Sequence, residues 1–144
     1  MKRIICGFPG VGKSFLSSKI GCNDSDSSKF DKRDFPQNYI KHIEKLDGLI
    51  LVSTHIAVRD ALYESGMPFS VCYPDRNLKN EYIERYKKRG SPEAFLYLLS
   101  EKWDEWITEM ENENRAINHY VLRAGQYLSD LTDLISLPAD ASRC

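Results

Sequence analysis

The sequence lacks the features of a membrane-embedded, disulfide-rich or metal-bound protein. No apolar run in its 144 residues approaches the roughly 18 residues of a membrane-spanning helix. The opening segment MKRIICGFPG contains too short an apolar run for a secretory signal peptide. Its four cysteines and three histidines are scattered without the spacing of a zinc site or a disulfide framework. These absences lead us to expect a reduced, cytoplasmic protein that has no membrane partner.

The sequence also has almost no net charge. Twenty Lys and Arg balance 21 Asp and Glu, which leaves −1 at neutral pH, whereas dedicated nucleic-acid binders are more often strongly basic. We therefore expect no obligatory nucleic-acid partner. Positive charge is concentrated in one segment, RNLKNEYIERYKKRG at 76–90. A chain of this length predicts one domain.

Short apolar runs alternate with helical patterns along the chain. Strands are predicted at 3–6, 20–23, 49–53, 69–73 and 117–122. Helices are predicted at 13–19, 36–46, 57–65, 78–89, 92–111 and 126–135. This alternation predicts an α/β domain with a parallel sheet, in which ligands bind beyond the carboxyl ends of the strands.

The segment GFPGVGKS at 7–14 follows the first strand and precedes the first helix, which is the setting of a Walker A phosphate loop. Its backbone N–H groups and the helix N-terminus favour phosphate oxygens. Lys13 would reach the β- and γ-phosphates of ATP, and Ser14 would be a ligand of Mg²⁺. The residues predicted to bind the nucleotide here are Gly7, Pro9, Gly10, Val11, Gly12, Lys13, Ser14 and Phe15.

Two aspartates follow the second predicted strand in NDSDSS at 23–28. A carboxylate there could orient an acceptor oxygen or accept its proton, which makes Asp24 and Asp26 candidate catalytic residues and Asp24 a candidate magnesium partner. Which aspartate has which role stays open. The alternative is a solvated Asp/Ser turn.

The third predicted strand, in LILVSTHIAVRDAL, does not end in a carboxylate. This disfavours motor-type and transport ATPases and GTPases, which need an acid there. Two residues of the following segment are candidates for binding the acceptor. Arg59 could bind an acceptor phosphate bidentately, or it could be a surface arginine paired with Asp60 or another neighbour. His55 could contact substrate, or it could cap or pack against the following helix.

The basic segment 76–90 places Arg85 and Arg89 on one helix face. In a lid, such arginines could neutralise charge on the transferring phosphate while water is excluded; a solvated charged helix is the alternative. The next helix carries Trp103 and Trp106 in an apolar stripe, which favours packing over base stacking.

Two further segments have compositions that suit a nucleotide. Region 27–47 mixes aromatic and basic side chains, with Phe30, Arg33 and Tyr39 as candidates for binding a base and a phosphate. It could equally form a small packed helix. The loop after the fifth strand, which begins at Arg123, could lie against a purine.

Together, GFPGVGKS, DSD at 24–26 and ERYKKRG at 84–90 make the chain resemble the P-loop nucleoside/nucleotide kinase superfamily, including adenylate-kinase-like proteins and small phage kinases. The resemblance implies a three-layer fold whose five-stranded parallel sheet has the order 2-3-1-4-5. It implies one domain over 1–144, an acceptor-binding insertion at about 27–47 and a short helical lid at about 75–91. It also implies ATP, Mg²⁺ and phosphoryl transfer to a (deoxy)nucleoside monophosphate, in the host cytoplasm if the protein is phage-encoded.

The sequence departs from typical adenylate kinases because no DGFPR follows the third strand, and the acceptor segment and lid are short. The same motifs resemble the kinase domain of phage polynucleotide kinases, which makes a polynucleotide 5′-hydroxyl the alternative acceptor. A non-catalytic ATP-binding regulatory module is the other alternative.

Overall fold

A single parallel sheet organises the chain. A computed structural model describes residues 3–12, 23–24 and 33–131, with the backbone alone for 23–24. The strands are β1 (Arg3–Gly7), β2 (Asn23–Asp24), β3 (Leu49–Val52), β4 (Phe69–Pro74) and β5 (His119–Leu122). Their order is β2-β3-β1-β4-β5, which is the order that the resemblance implied. Four of them have at least four residues, and the two-residue β2 extends the sheet at one edge.

The central strand β1 pairs with β3 on one side and with β4 on the other, in parallel register. Every residue of β3 and β4 is buried. Their near-continuous apolar sequences, LILV and FSVCYP, are those of strands covered on both faces. The predicted α/β class with a parallel sheet flanked by helices is confirmed.

Four helices are described: α1 (Gln37–Glu44), α2 (Ile56–Glu64), α3 (Lys79–Lys88) and α4 (Glu93–Glu111). The predicted stops after α2 and α3 are confirmed, since Gly66 and Gly90 follow these helices with φ of +72° and +79°. Glycine tolerates this left-handed conformation without a Cβ clash. No helix within the described ranges is long and apolar enough to cross a bilayer.

The predicted helix at 126–135 is described only as far as residue 131. Within this part, Leu128–Leu131 form a short 3-10 turn, and the Asp130 carboxylate accepts a hydrogen bond from the Tyr127 N–H at 2.7 Å. The predicted helix at 13–19 lies outside the described residues.

The aromatic stripe of α4 packs against the end of β1. Trp103 is 1% exposed, and its ring lies edge-on to Phe8 with centroids 5.6 Å apart. Its indole N–H donates to the Arg76 carbonyl at 2.9 Å. The packing role predicted for Trp103 is therefore confirmed, and α4 is fixed close to the phosphate loop.

Candidate functional site

The phosphate loop, residues 7–14, emerges from the carboxyl end of β1, between β3 and β4. Its described part includes Gly10 and Gly12, which have φ of +90° and +94°. A Cβ on Gly10 would lie 3.0 Å from the Tyr86 hydroxyl oxygen, and one on Gly12 would lie 3.1 Å from Tyr127 Cδ1. The loop therefore needs glycine at both positions, for conformation and for space.

Helix α3 fixes the loop from outside through hydrogen bonds to two consecutive carbonyls. The Tyr86 hydroxyl donates to the Pro9 carbonyl, and Arg85 Nη1 donates to the Gly10 carbonyl at 2.8 Å. Burial raises the pKa of Tyr86, so its hydroxyl stays protonated and able to donate. These two hydrogen bonds tie the described part of the phosphate loop to α3.

The Arg85 guanidinium also reaches the loop after β5. Nη2 donates to the Gln126 carbonyl and to Glu81 Oε2, each at 2.8 Å. The guanidinium carbon lies 4.3 Å from the Tyr82 ring centroid and 3.8 Å from that of Tyr127, an arrangement that adds cation–π attraction. We call these residues, Glu81, Tyr82, Arg85, Gln126 and Tyr127, the Arg85 cluster.

This arrangement corrects the expectation for Arg85. The predicted lid arginine would swing onto the transferring phosphate, but the Arg85 side chain is 10% exposed and occupied by three hydrogen-bond partners. In this arrangement it contacts the phosphate loop through the Gly10 carbonyl. Arg89 ends α3, is exposed, and lies 4.9 Å from the Tyr86 ring centroid. A role of Arg89 in the transfer stays a prediction.

The loop after β5 lies against the phosphate loop, as a purine-contacting segment would require. The Leu128 N–H donates to the Val11 carbonyl at 2.8 Å. Arg123 is exposed at the start of this loop, and its N–H donates to Gln126 Oε1 at 2.7 Å. Arg123 thus stays a candidate for contacting the nucleotide.

Arg59 is not placed as predicted. Its side chain is 2% exposed. Its Nη1 lies 2.9 Å from Glu113 Oε1, and its Nη2 forms an ion pair with Glu109 Oε1. Nε donates to the Thr54 carbonyl at 2.9 Å. Because the guanidinium is buried and fully occupied, it cannot take the predicted acceptor phosphate in this arrangement. The surface pair with Asp60 is also wrong, since Asp60 pairs with Arg115 at 2.9 Å.

The ion pairs of Arg59 continue into a network at the end of α4. Arg115 Nη2 lies 2.8 Å from Glu113 Oε1. The hydrogen bond from Arg115, joined by one from Arg59 and opposed by burial, lowers the pKa of Glu113 to about 2. Glu113 is therefore ionised at neutral pH and anchors both arginines.

A cavity of about 360 Å³ lies beside the phosphate loop. Its described walls come from the loop, from the segment between β3 and α2, and from α4. The lining residues are Phe8, Pro9, Thr54, His55, Ile56, Phe95, Leu98, Trp106, Glu109 and Met110. The predicted position of His55 at the mouth of the site agrees with this lining.

The other sequence candidates are distributed as follows. Tyr39 is fully buried in α1 and packs near Phe35, with ring centroids 5.8 Å apart, so it belongs to the core and not to a substrate site. Arg33 is exposed in the turn before α1. The backbone of Asp24 ends β2 and pairs in register with Leu51. Outside the described residues lie Lys13, Ser14, Phe15, Asp26 and Phe30.

The described residues do not by themselves form a metal site. No group of three or more His, Cys, Asp or Glu side chains among them is arranged to hold a metal ion. The predicted magnesium ligands, Ser14 and Asp24, fall where side chains are not described.

Two cavity residues were missed from the sequence. Trp106 was assigned to packing with Trp103, yet it also lines the cavity. Glu109 gave no signal, because a glutamate in a charged helix is ordinary. An amphipathic stripe shows which face of a helix is apolar, but it does not show where that face opens into a cavity.

Comparisons with known proteins identify the fold of the chain but not its family or its substrate. Neither the family models nor the curated protein sequences give a match. Among solved structures, a gluconokinase from Sinorhizobium meliloti 1021 is similar, with a TM-score of 0.56 and 16% identity over 99% of this chain and 91% of that one. An uncharacterized protein from Eubacterium ventriosum ATCC 27560 has a TM-score of 0.50 and 12% identity, over 93% of this chain and 95% of that one. The chain thus has a kinase-like α/β fold.

Proposed function

We propose that the protein is an ATP-dependent kinase that transfers the γ-phosphate to a small nucleotide-type acceptor. One observation carries this proposal: the phosphate loop, with left-handed Gly10 and Gly12, opens beside a cavity at the carboxyl ends of β1 and β3. Donor and acceptor could meet there, since ligands of open parallel sheets bind at this edge. The kinase-like fold is consistent with the proposal.

Side chains of the first two sequence motifs would act in this reaction. An oxygen of the acceptor, which in a nucleoside monophosphate is a phosphate oxygen, forms a bond to the γ-phosphorus while the bond from that phosphorus to ADP breaks. Lys13 would stabilise charge on the phosphates, and Asp24 or Asp26 would orient the acceptor oxygen, or take its proton where that oxygen belongs to a hydroxyl. When bound, Mg²⁺ neutralises charge on the phosphate oxygens, and Ser14 and Asp24 are its candidate partners.

The acceptor proposed from the sequence is a (deoxy)nucleoside monophosphate. A cavity of about 360 Å³ is within the ordinary range for small-molecule sites, roughly 300–1,000 Å³. It therefore favours a small acceptor over the alternative, a polynucleotide 5′-hydroxyl. The near-zero net charge also disfavours a polynucleotide, which binds largely through its phosphates.

The test is ATP-dependent phosphorylation of a panel of nucleosides, (deoxy)nucleoside monophosphates and 5′-hydroxyl oligonucleotides. We expect transfer to at least one small acceptor. Lys13→Ala should lose about a hundredfold or more in rate, because it removes a charge that stabilises the transition state. Lys88→Ala, an exposed lysine at the end of α3, is the matched control. Transfer to no acceptor by the folded protein would reject the proposal.

A non-catalytic nucleotide-binding module is the second candidate, and one observation favours it. The segment that follows β3 begins Ser53-Thr54-His55, so no carboxylate stands at this strand end. Such a module would bind ATP tightly without Mg²⁺-dependent turnover. If turnover occurs and survives in the double variant Asp24→Ala/Asp26→Ala, the catalytic role of the two aspartates is wrong.

A further inference from the structure

The cavity beside the phosphate loop has three described walls, which together define its chemistry. Phe8 and Pro9 belong to the phosphate loop, so a molecule in the cavity lies next to the segment that would hold the transferred phosphate. Thr54 to Ile56 form the second wall, and α4 forms the third. On the basis of the proposed function, this cavity is where the acceptor would bind.

Seven of the ten described lining residues are apolar: Phe8, Pro9, Ile56, Phe95, Leu98, Trp106 and Met110. A sugar acid or polyol has a polar oxygen on nearly every carbon, and each oxygen that loses water without a new hydrogen bond costs free energy. Such acceptors suit this lining poorly, although the similar structure from Sinorhizobium meliloti is a gluconokinase. The lining instead favours an acceptor with an apolar, ring-shaped part.

The aromatic side chains of the lining are held in place before any ligand binds. Trp106 lies edge-to-face with Phe8, with centroids 6.5 Å apart, and Phe95 lies edge-to-face with Tyr86 at 5.1 Å. Phe8 and Tyr86 are buried in the core. A planar ring that enters the cavity would therefore contact aromatic side chains that are already ordered, so its binding would cost little side-chain entropy.

Glu109 is the acidic residue of the described lining, and its position is fixed. Arg59, buried and bound also to Glu113 and to the Thr54 carbonyl, pairs with Glu109 Oε1. The Glu109 side chain is 41% exposed, and among the described contacts its Oε2 has no partner. A carboxylate oxygen held in this way is a hydrogen-bond acceptor for a donor on the ligand.

We propose that the acceptor carries a planar aromatic ring with an N–H donor, which binds against Trp106 and Phe95 and donates to Glu109. The ring lies in the cavity, and the oxygen that receives the phosphate faces the phosphate loop. Trp106 and Glu109 then determine specificity, and Arg59 is a positioning residue that keeps Glu109 and Thr54 in the cavity wall.

Binding is measured first, without turnover, by calorimetry and by tryptophan fluorescence. The probes are adenosine, guanosine, cytidine, thymidine and their 5′-monophosphates, with gluconate as the non-aromatic comparison. The chain has only two tryptophans, and Trp103 is buried. We expect an aromatic probe to change the fluorescence and Trp106→Phe to abolish that change. Trp106→Leu should weaken binding at least tenfold.

The N–H donor is tested by comparing the best probe with its analogue in which that N–H is methylated. The wild type should prefer the parent compound about tenfold, and Glu109→Gln should lose most of this preference. If Glu109→Gln instead weakened the binding of both compounds equally, its effect would be purely structural, and the assignment of Glu109 as the acceptor of the N–H hydrogen bond would be overturned. Phe95→Leu, which is conservative in volume, provides a second test of the ring contact.

These outcomes separate the two proposals. Binding that depends on Trp106 and Glu109 but leads to no phosphoryl transfer would reject the kinase function and support the cavity assignment. The cavity assignment alone would be overturned by phosphoryl transfer to an acceptor whose affinity is unchanged in Trp106→Leu. It would also be overturned if gluconate bound as tightly as the aromatic probes.

Discussion

Gly10 shows how a single residue in the phosphate loop depends on its tertiary surroundings. Its φ of +90° alone disfavours a side chain. In addition, a Cβ would lie 3.0 Å from the Tyr86 hydroxyl oxygen and 3.1 Å from Tyr82 Cδ2. Both tyrosines are fully buried, so neither ring can move aside without disturbing the core.

Gly10→Ala should therefore cost more stability than a glycine replacement that meets no neighbour. Gly66 is the matched control, since it has φ of +72° and no atom within 4 Å of an added Cβ. Gly66→Ala should lower the free energy of unfolding by about 1–2 kcal/mol from conformation alone. Gly10→Ala should add about 1–3 kcal/mol from overpacking. Urea unfolding measures the free energy of unfolding of both variants. Equal losses in the two variants would show that the tyrosine side chains move aside to make room for the added Cβ.

At the scale of elements, the Arg85 cluster joins three segments that are far apart in the chain. Arg85 lies on α3, donates a hydrogen bond to Glu81 one turn away, and donates to the carbonyls of Gly10 and Gln126. A planar guanidinium can bind several acceptors while its faces stack on aromatic rings, which an ammonium group cannot do. The cluster thereby links the phosphate loop to the loop that would face the base.

Arg85→Lys should separate charge from geometry. Lysine keeps the positive charge but cannot bridge both carbonyls, so we expect a loss of about 1–3 kcal/mol in the free energy of unfolding. ATP binding should weaken with it, because the phosphate loop is less well fixed. Lys88→Ala should change stability by no more than about 0.5 kcal/mol. Full stability and ATP affinity in Arg85→Lys would contradict the positioning role.

At the scale of the whole molecule, the network around Glu113 makes stability depend on pH. The lowered pKa of about 2, against an ordinary value of 4.5, means that folding favours the ionised carboxylate. Its contribution is complete above about pH 4.5 and is lost as the pH falls toward 2. This difference corresponds to at most roughly 3–4 kcal/mol.

Glu113→Gln should therefore lower stability at neutral pH and flatten the acid side of the stability curve. The free energy of unfolding, measured in urea from pH 7 to 2, should converge with that of the wild type at the acid end. Glu101→Gln, on the exposed side of α4, removes the same charge outside the network. It should keep the wild-type slope. If the free energy of unfolding of Glu113→Gln and that of the wild type changed in parallel with pH, the lowered pKa of Glu113 would be contradicted.

The sequence was sufficient wherever a local pattern has one structural meaning. Continuous apolar runs predicted the central strands β3 and β4 because both faces of these strands are covered. Glycines after apolar periods predicted the ends of α2 and α3, because the left-handed turn after a helix favours glycine. The alternation of strands and helices predicted the parallel sheet, at whose edge the phosphate loop lies.

Only the tertiary structure decided which polar groups meet. Arg59 and Glu113 are 54 residues apart, and Arg85 and Gly10 are 75 apart. Local periodicity indicates the face of a helix on which an arginine lies, but it contains no information about the partner that the packing brings to that face. The sequence by itself therefore determined only the local features, a phosphate loop on an α/β sheet. Packing brought Arg59 to Glu109 and Glu113, brought Arg85 to the Gly10 and Gln126 carbonyls, and placed Trp106 and Glu109 in the cavity wall.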